Sequence, residues 1–172
     1  MLRRAALVAF AAVGLGGPAV AGVLSSADVQ RIEDYDRFVR PAAQEAPILR
    51  DMKGLVGALI AAAEGSDEAF DPRAALHDLP RIGGDDLERM VSALQELDDP
   101  AALAPPEWAA LLAEVDAEIE DRLAYDADVM KAYQRSVAAG TPGFGQSVVG
   151  WEDRPHAGHR RGRFQEILDR TP

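Results

Sequence analysis

Two histidines near the C-terminus, His156 and His159, are the residues of this chain whose type and spacing could hold a metal ion. Glu152 and Asp153 precede them, and imidazole and carboxylate groups are ordinary ligands of zinc and copper. The spacing H-x-x-H fixes no geometry in a glycine-containing loop, however, and the arginines beside it oppose a bound dication. We therefore expect at most a weak metal site at these two histidines.

The same stretch, "RPHAGHRRGR" at residues 154–163, is also a candidate anion-binding strip, because it has four arginines and no acidic residue. Arginine binds carboxylate and phosphate in a bidentate manner, and both histidines would gain charge below about pH 6.5. Two anions fit: the acidic body of this chain, or the surface of another molecule. Aromatic and arginine side chains are enriched at binding hot spots. The predicted partner-contact residues are Phe144, Trp151, Arg154, Arg160, Arg161 and Arg163.

Carboxylates could bind a cation, and they are densest in two segments. Residues 114–128 contain seven acids in 15 positions, but their helical periodicity spreads them around an axis instead of wrapping them around an ion. We interpret this segment as a solvated helix face. The acidic loop at residues 64–71 lacks the ligand order of an EF-hand. A small-ligand or metal-binding role for the acidic helices or the tail histidines remains the alternative function.

No set of residues has the spacing of a catalytic centre. Ser136 and Ser147 lack the G-x-S-x-G context of a nucleophile elbow, and the chain has no cysteine. One histidine, His77, cannot supply the Glu-x-x-His pairs of a di-iron bundle. The glycines after residue 140 lack the Gly-Lys-Ser/Thr end of a P-loop. We predict no catalytic residue and no cofactor, and the prediction leans against an enzyme.

Helices are the elements that must position these side chains, because helical periodicity dominates residues 25–139 and strand patterns are nearly missing. Ser25 and Asp28 form a predicted capping box. The first helix is expected to end or kink at Pro41, and Pro47 is expected to open the second. Gly54 and Gly57 in the second helix predict close approach by another helix, at the centre of a bundle.

The longest helical stretch runs from residue 105 to residue 139, and its apolar stripe shifts by one residue near Arg122. This pattern predicts either one long helix with a slip or two helices end to end. Residues 140–172 are rich in glycine and arginine and have no helical period before a short terminal helix at residues 164–170. The predicted fold class is all-α: a small bundle of about four to five helices over residues 22–139, followed by an extended basic tail.

The N-terminal residues 1–21 have the organisation of a secretory signal peptide. Arg3 and Arg4 precede an apolar run, Pro18 follows two glycines, and an A-x-A site ends at Ala21. We expect cleavage after Ala21 and a periplasmic protein. The alternative is an uncleaved anchor in the inner membrane with the remainder facing the periplasm.

Charge and cysteine content exclude several classes of function. Cleavage would leave 16 basic against 29 acidic residues, a formal net charge of −13, which argues against nucleic-acid binding. The absence of cysteine excludes disulfides and thiolate metal sites. We therefore expect an exported, non-catalytic helical protein that acts as an interaction or accessory subunit. Its expected partner is another periplasmic or membrane-complex protein, and the C-terminal tail is the expected contact region.

Overall fold

A computed structural model describes residues 24–65, 76–81, 85–141, 144 and 157–169, and the structural statements below refer to these residues. A π-helical segment, Tyr35–Val39, joins the first two α-helices, and a 3-10 turn, Pro100–Ala102, precedes the fourth. The described part of the chain contains no strand, which confirms the predicted all-α class. Its α-helices are α1 (Ser26–Asp34), α2 (Arg40–Glu64), α3 (Asp85–Gln95), α4 (Pro105–Ala139) and α5 (Ala157–Asp169).

The start of α1 is capped as the sequence predicts. The Ser25 hydroxyl accepts the backbone N–H of Asp28 at 3.2 Å, and the Asp28 carboxylate accepts the backbone N–H of Ser25 at 3.2 Å. This reciprocal capping box satisfies amide groups that have no partner within the first helical turn.

The helix does not end at Pro41, and Pro47 does not begin a new one. α1, the π-helical segment and α2 follow one another with α-helical dihedral angles at the junctions, and Pro47 lies inside α2. Both proline rings are exposed, and the carbonyls that lose a donor belong to the exposed residues Arg37 and Ala43. Water can satisfy these carbonyls, so the prolines are tolerated.

The π-helical segment compensates for one extra residue in the heptad pattern of this helix. Inward positions are separated by three and four residues in alternation, with one exception. Two four-residue steps follow each other, from Asp34 to Phe38 and from Phe38 to Ala42. A π turn absorbs one inserted residue, and here the Arg40 N–H donates to the Tyr35 carbonyl, five residues back. The inward stripe therefore stays on one side of the helix. Its positions are 27, 31, 34, 38, 42, 45, 49, 52, 56, 59 and 63.

α2 packs along α4, and this is the most extensive contact between described helices. α4 is one continuous helix of 35 residues, about 52 Å long at 1.5 Å per residue. It ends in a left-handed Gly140 with φ of 67°, and the Thr141 N–H donates to the Ser136 carbonyl at 3.1 Å. The predicted slip near Arg122 is wrong: the inward stripe continues through this region, but charged side chains occupy it.

The core consists of two apolar clusters along this helix pair. The larger cluster joins α2, α3, the first half of α4 and α5, and Trp108 lies at its centre, where its indole N–H donates to the Pro100 carbonyl at 3.3 Å. The smaller cluster joins the π-helical segment to the second half of α4. Its buried members are Val39, Ala42, Val129 and Phe144.

The two glycines of α2 do not mark a close helix contact. A Cβ atom added at Gly54 or Gly57 would meet nothing within 4 Å, and both residues are exposed. On the same helix, Ile48 and Leu55 keep 40% and 48% of their surface exposed. α2 is therefore an amphipathic helix at the surface of the bundle, and the expectation of a fully buried central helix is wrong.

The C-terminal helix is longer than the sequence predicts and packs on the body. α5 begins at Ala157, seven residues before the predicted start, so seven residues of the basic strip are helical. Phe164 is 4% exposed and joins the larger core cluster, together with the half-buried Ile167 and Leu168. Among the described helices, none is long and apolar enough to cross a lipid bilayer.

Candidate functional site

Four ionisable side chains of α2 and α4 are buried or partly buried in the middle of this helix pair, and we refer to them as the charge centre: Glu45, Glu118, Arg122 and Asp126. Glu118 is fully buried, Asp126 is 4% exposed and Arg122 is 8% exposed. The Arg122 guanidinium lies 2.7 Å from Glu45 Oε1, so this ion pair joins the two helices. Buried ion pairs of this kind define the register of packed helices more than they add stability.

The helical repeat explains why these side chains meet. Glu118, Arg122 and Asp126 are four residues apart on α4, so they lie one above another on a single face. Glu45 occupies an inward position of the α2 heptad opposite them. Val115 and Ile119 of the larger apolar cluster lie on one side of the charge centre, and Val129 of the smaller cluster lies on the other.

Burial changes the proton affinity of the Glu45 and Asp126 carboxyl groups. Desolvation, followed by the negative charge of Glu45, raises the pKa of Asp126 to about 7, although Arg122 and Arg50 act in the opposite direction. Desolvation also raises the pKa of Glu45, and its ion pair with Arg122 limits that rise. The charge centre can therefore exchange a proton near neutral pH.

The described residues contain no group of three or more histidine, cysteine, aspartate or glutamate side chains arranged to hold a metal ion. Outside the charge centre, Lys53 of α2 binds Asp116 and Glu120 of α4, with its Nζ atom 2.9 Å from each carboxylate. The acid-rich segment is thus divided. Asp116 and Glu120 pair at the rim, whereas Glu118 and Asp126 are buried, so a wholly solvated face is the wrong interpretation.

Another buried carboxylate, that of Asp34 at the end of α1, binds the chain beyond α4. Its Oδ2 accepts the backbone N–H of Phe144 at 2.9 Å, and its Oδ1 accepts from the Gln30 side chain at 3.0 Å. The Phe144 ring packs edge-on against Phe38 and Tyr133, with ring centroids 5.8 and 5.4 Å apart. Phe144, a predicted partner-contact residue, is 4% exposed and is occupied in packing within this chain.

Of the other predicted contact residues, the structure describes the side chain of Arg163 alone. Arg163 is 75% exposed, and its Nε atom lies 3.8 Å from Glu114 of α4. Arg160 and Arg161 lie in α5, but their side chains are outside the described part. Trp151, Arg154 and His156 are outside it entirely, and His159 is described in its backbone alone, so the predicted metal pair is not placed.

One surface groove among the described residues is lined mainly by apolar side chains. A groove of about 680 Å³ lies between the end of α2 and the start of α4, where its lining includes Ile60, Ala63 and Pro106. Glu64 is its one ionisable lining residue. His77, the body histidine, has 89% of its side chain exposed beside Asp78, away from any buried partner in the described chain.

Sequence reasoning missed the charge centre because it followed apolar residues alone. The apparent slip of the α4 stripe near Arg122 was the available signal. A run of ionisable residues at four-residue spacing, at the point where an apolar stripe is interrupted, fits a buried polar layer as well as a slip. Glu45 gave a second signal, since it stands at an inward heptad position of α2.

The chain matches no protein-family model, none of the curated proteins and no solved structure in the three comparisons. Its function is therefore argued from the residues and their arrangement.

Proposed function

We propose that the protein is an exported, non-catalytic helical protein that works by binding another periplasmic or membrane-complex protein through its C-terminal segment. The observation that carries the proposal is the placement of α5. Phe164 anchors this helix in the core, while the adjacent Arg163 keeps 75% of its side chain in solvent. A basic segment is thereby held in a fixed position on an acidic protein.

The contact of Arg163 with the body leaves most of its side chain in solvent. Arg163 faces Glu114 at 3.8 Å, a long ion pair in which the Arg163 side chain is 75% exposed and the Glu114 side chain is 14% exposed. A guanidinium exposed in this way can bind a carboxylate of a partner. The chemistry of α5 therefore favours an acidic protein surface as the partner.

Capture experiments with the full chain test this proposal. The bait is the wild-type protein, Arg163→Glu or Lys131→Glu, each incubated with periplasmic extract at low salt. Lys131 is a matched control, because it is 62% exposed and faces Asp128 at 3.9 Å, at the opposite end of the molecule. We expect Arg163→Glu to reduce recovery of the captured partner several-fold and Lys131→Glu to leave it unchanged. Raising the salt concentration should release the partner, since exposed charges are screened.

Equal recovery with the wild-type chain and Arg163→Glu would argue against the C-terminal segment as the contact region. Circular dichroism of each bait establishes that the substitutions preserve the helical fold. Recovery that falls equally with Lys131→Glu would indicate a general charge effect and would also contradict the proposed site.

A further inference from the structure

The side chain of Asp126 is in an unusual position for an ionised carboxylate. It is 4% exposed, and its Oδ2 atom has no hydrogen-bond partner within the described residues. Burial of an ionised carboxylate without donors is costly, and a group in this position is more stable in its protonated form.

The charged groups around Asp126 do not neutralise it. Arg122 and Glu118 share its own helix, and α2 contributes Glu45 and Arg50. Arg122 is 2.7 Å from Glu45, and Arg50 is exposed; both guanidinium groups lower the pKa of Asp126, but desolvation and Glu45 outweigh them. The π-helical segment contributes the uncharged Tyr35, Phe38 and Val39 to the neighbouring apolar cluster.

Protonation of Asp126 changes the balance of this cluster in two ways. With all three groups ionised, Glu45, Arg122 and Asp126 together contain two carboxylates and one guanidinium, a formal charge of −1. A proton on Asp126 brings this sum to zero and supplies an O–H donor beside the Glu45 carboxylate. We propose that the charge centre is a proton-operated switch, which holds α2 against α4 when Asp126 is protonated and loosens this contact when Asp126 is ionised.

The direction of the pH effect follows from the two states of the chain. An unfolded aspartate has a pKa of about 3.9, whereas burial beside Glu45 raises the pKa of Asp126 to about 7 in the folded chain. Between these values the folded state holds a proton that the unfolded state has released. The folding equilibrium constant therefore falls as the pH rises through this window, by about tenfold per pH unit, and levels off above pH 7.

Urea unfolding of the full chain between pH 5 and pH 8.5 tests the switch. The variant Asp126→Asn keeps the shape of the side chain and removes the titration. Relative to this variant, the wild-type folding constant should fall at least tenfold between pH 5 and pH 7. Asp128→Asn is the matched control, since Asp128 is on the same helix with 61% of its side chain exposed, and it should retain the wild-type profile. Parallel profiles for the wild type and Asp126→Asn would overturn the proposal.

Glu45→Gln provides a second variant in which Asp126 itself is unchanged. Loss of the neighbouring negative charge should move the upper end of the pH window to lower pH, and an unmoved window would contradict the switch.

The loosening of the α2–α4 contact can also be measured directly with spin labels, because the chain has no cysteine that would compete for labelling. Spin labels attached through Gln44→Cys and Ala127→Cys, both at exposed positions, should give a broader distance distribution at pH 8.5 than at pH 5. A distribution that does not change with pH would refute the loosening.

Discussion

Phe164→Ala tests whether α5 is an integral part of the core. Phe164 is 4% exposed and contacts the larger apolar cluster from a helix at the end of the chain. Replacement of a buried phenylalanine by alanine costs about 3–5 kcal/mol, which combines the lost transfer free energy with the cavity that remains. Because α5 joins the core through one buried and two partly buried side chains, it can shift to reduce the cavity, so we expect a loss of about 3 kcal/mol.

The assay is urea denaturation followed by circular dichroism. With an m-value of about 2 kcal/mol/M for a chain of this size, a loss of about 3 kcal/mol lowers the unfolding midpoint by about 1.5 M urea. Gln165→Ala is the control: Gln165 is exposed and bonds Asp169 within α5, so its loss should cost less than about 0.5 kcal/mol.

Hydrogen exchange gives a second measurement on the same variant. The amides of α5 should exchange faster in Phe164→Ala, while those of α2 and α4 in the larger cluster stay protected. A loss below about 1 kcal/mol, with unchanged exchange in α5, would refute the conclusion that Phe164 anchors this helix.

Three further predictions concern other parts of the chain. Gly54→Ala and Gly57→Ala should each raise the free energy of unfolding by about 0.5–1 kcal/mol, because both sites are exposed positions inside a helix with space for a methyl group. Thermal denaturation measures the change, and destabilisation would contradict the solvent-exposed position of these two glycines. Asp34→Ala should cost about 1–3 kcal/mol and accelerate exchange of the Phe144 amide, which loses its buried acceptor; an unchanged exchange rate would refute this contact. Mass spectrometry of the exported chain should show cleavage after Ala21, and a chain that retains residues 1–21 would contradict the predicted signal peptide.

The sequence predicts the helices well where apolar residues repeat without interruption. The predicted stripe from Trp108 to Ile119 is buried in the structure, because burial of these side chains is the main force that shapes the helix. Of the stripe predicted from Ile48 to Ala63, Met52, Val56 and Ala63 are buried, whereas Ile48 and Leu55 are 40% and 48% exposed. Pro41 misled the prediction of the first helix. A proline is treated locally as a helix breaker, but its cost depends on whether water reaches the carbonyl that it leaves without a donor.

Local pattern gives only part of the position of the buried charges. Glu118 and Glu120 are two residues apart, so the helical repeat places them about 200° apart around α4. Which of the two faces the rest of the chain covers is a tertiary property, and in the structure Glu118 is fully buried while Glu120 binds Lys53 at the rim. Likewise, the sequence shows an aromatic residue, Phe144, after the last turn of α4. It does not show that the backbone N–H of Phe144 donates to the buried carboxylate of Asp34.

The arrangement of the two apolar clusters gives the charge centre its importance. The larger cluster contains most of the core and draws on four helices, whereas the smaller one depends on four buried residues and the aromatic rings around them. The charge centre lies between the two clusters on the α2–α4 pair. Repulsion between Glu45 and an ionised Asp126 therefore acts at the edge of the smaller cluster. Local opening in proteins begins where few apolar contacts oppose it. Loss of a proton from Asp126 therefore acts mainly on the smaller cluster, and the half of the molecule that holds α5 in place keeps its own apolar core.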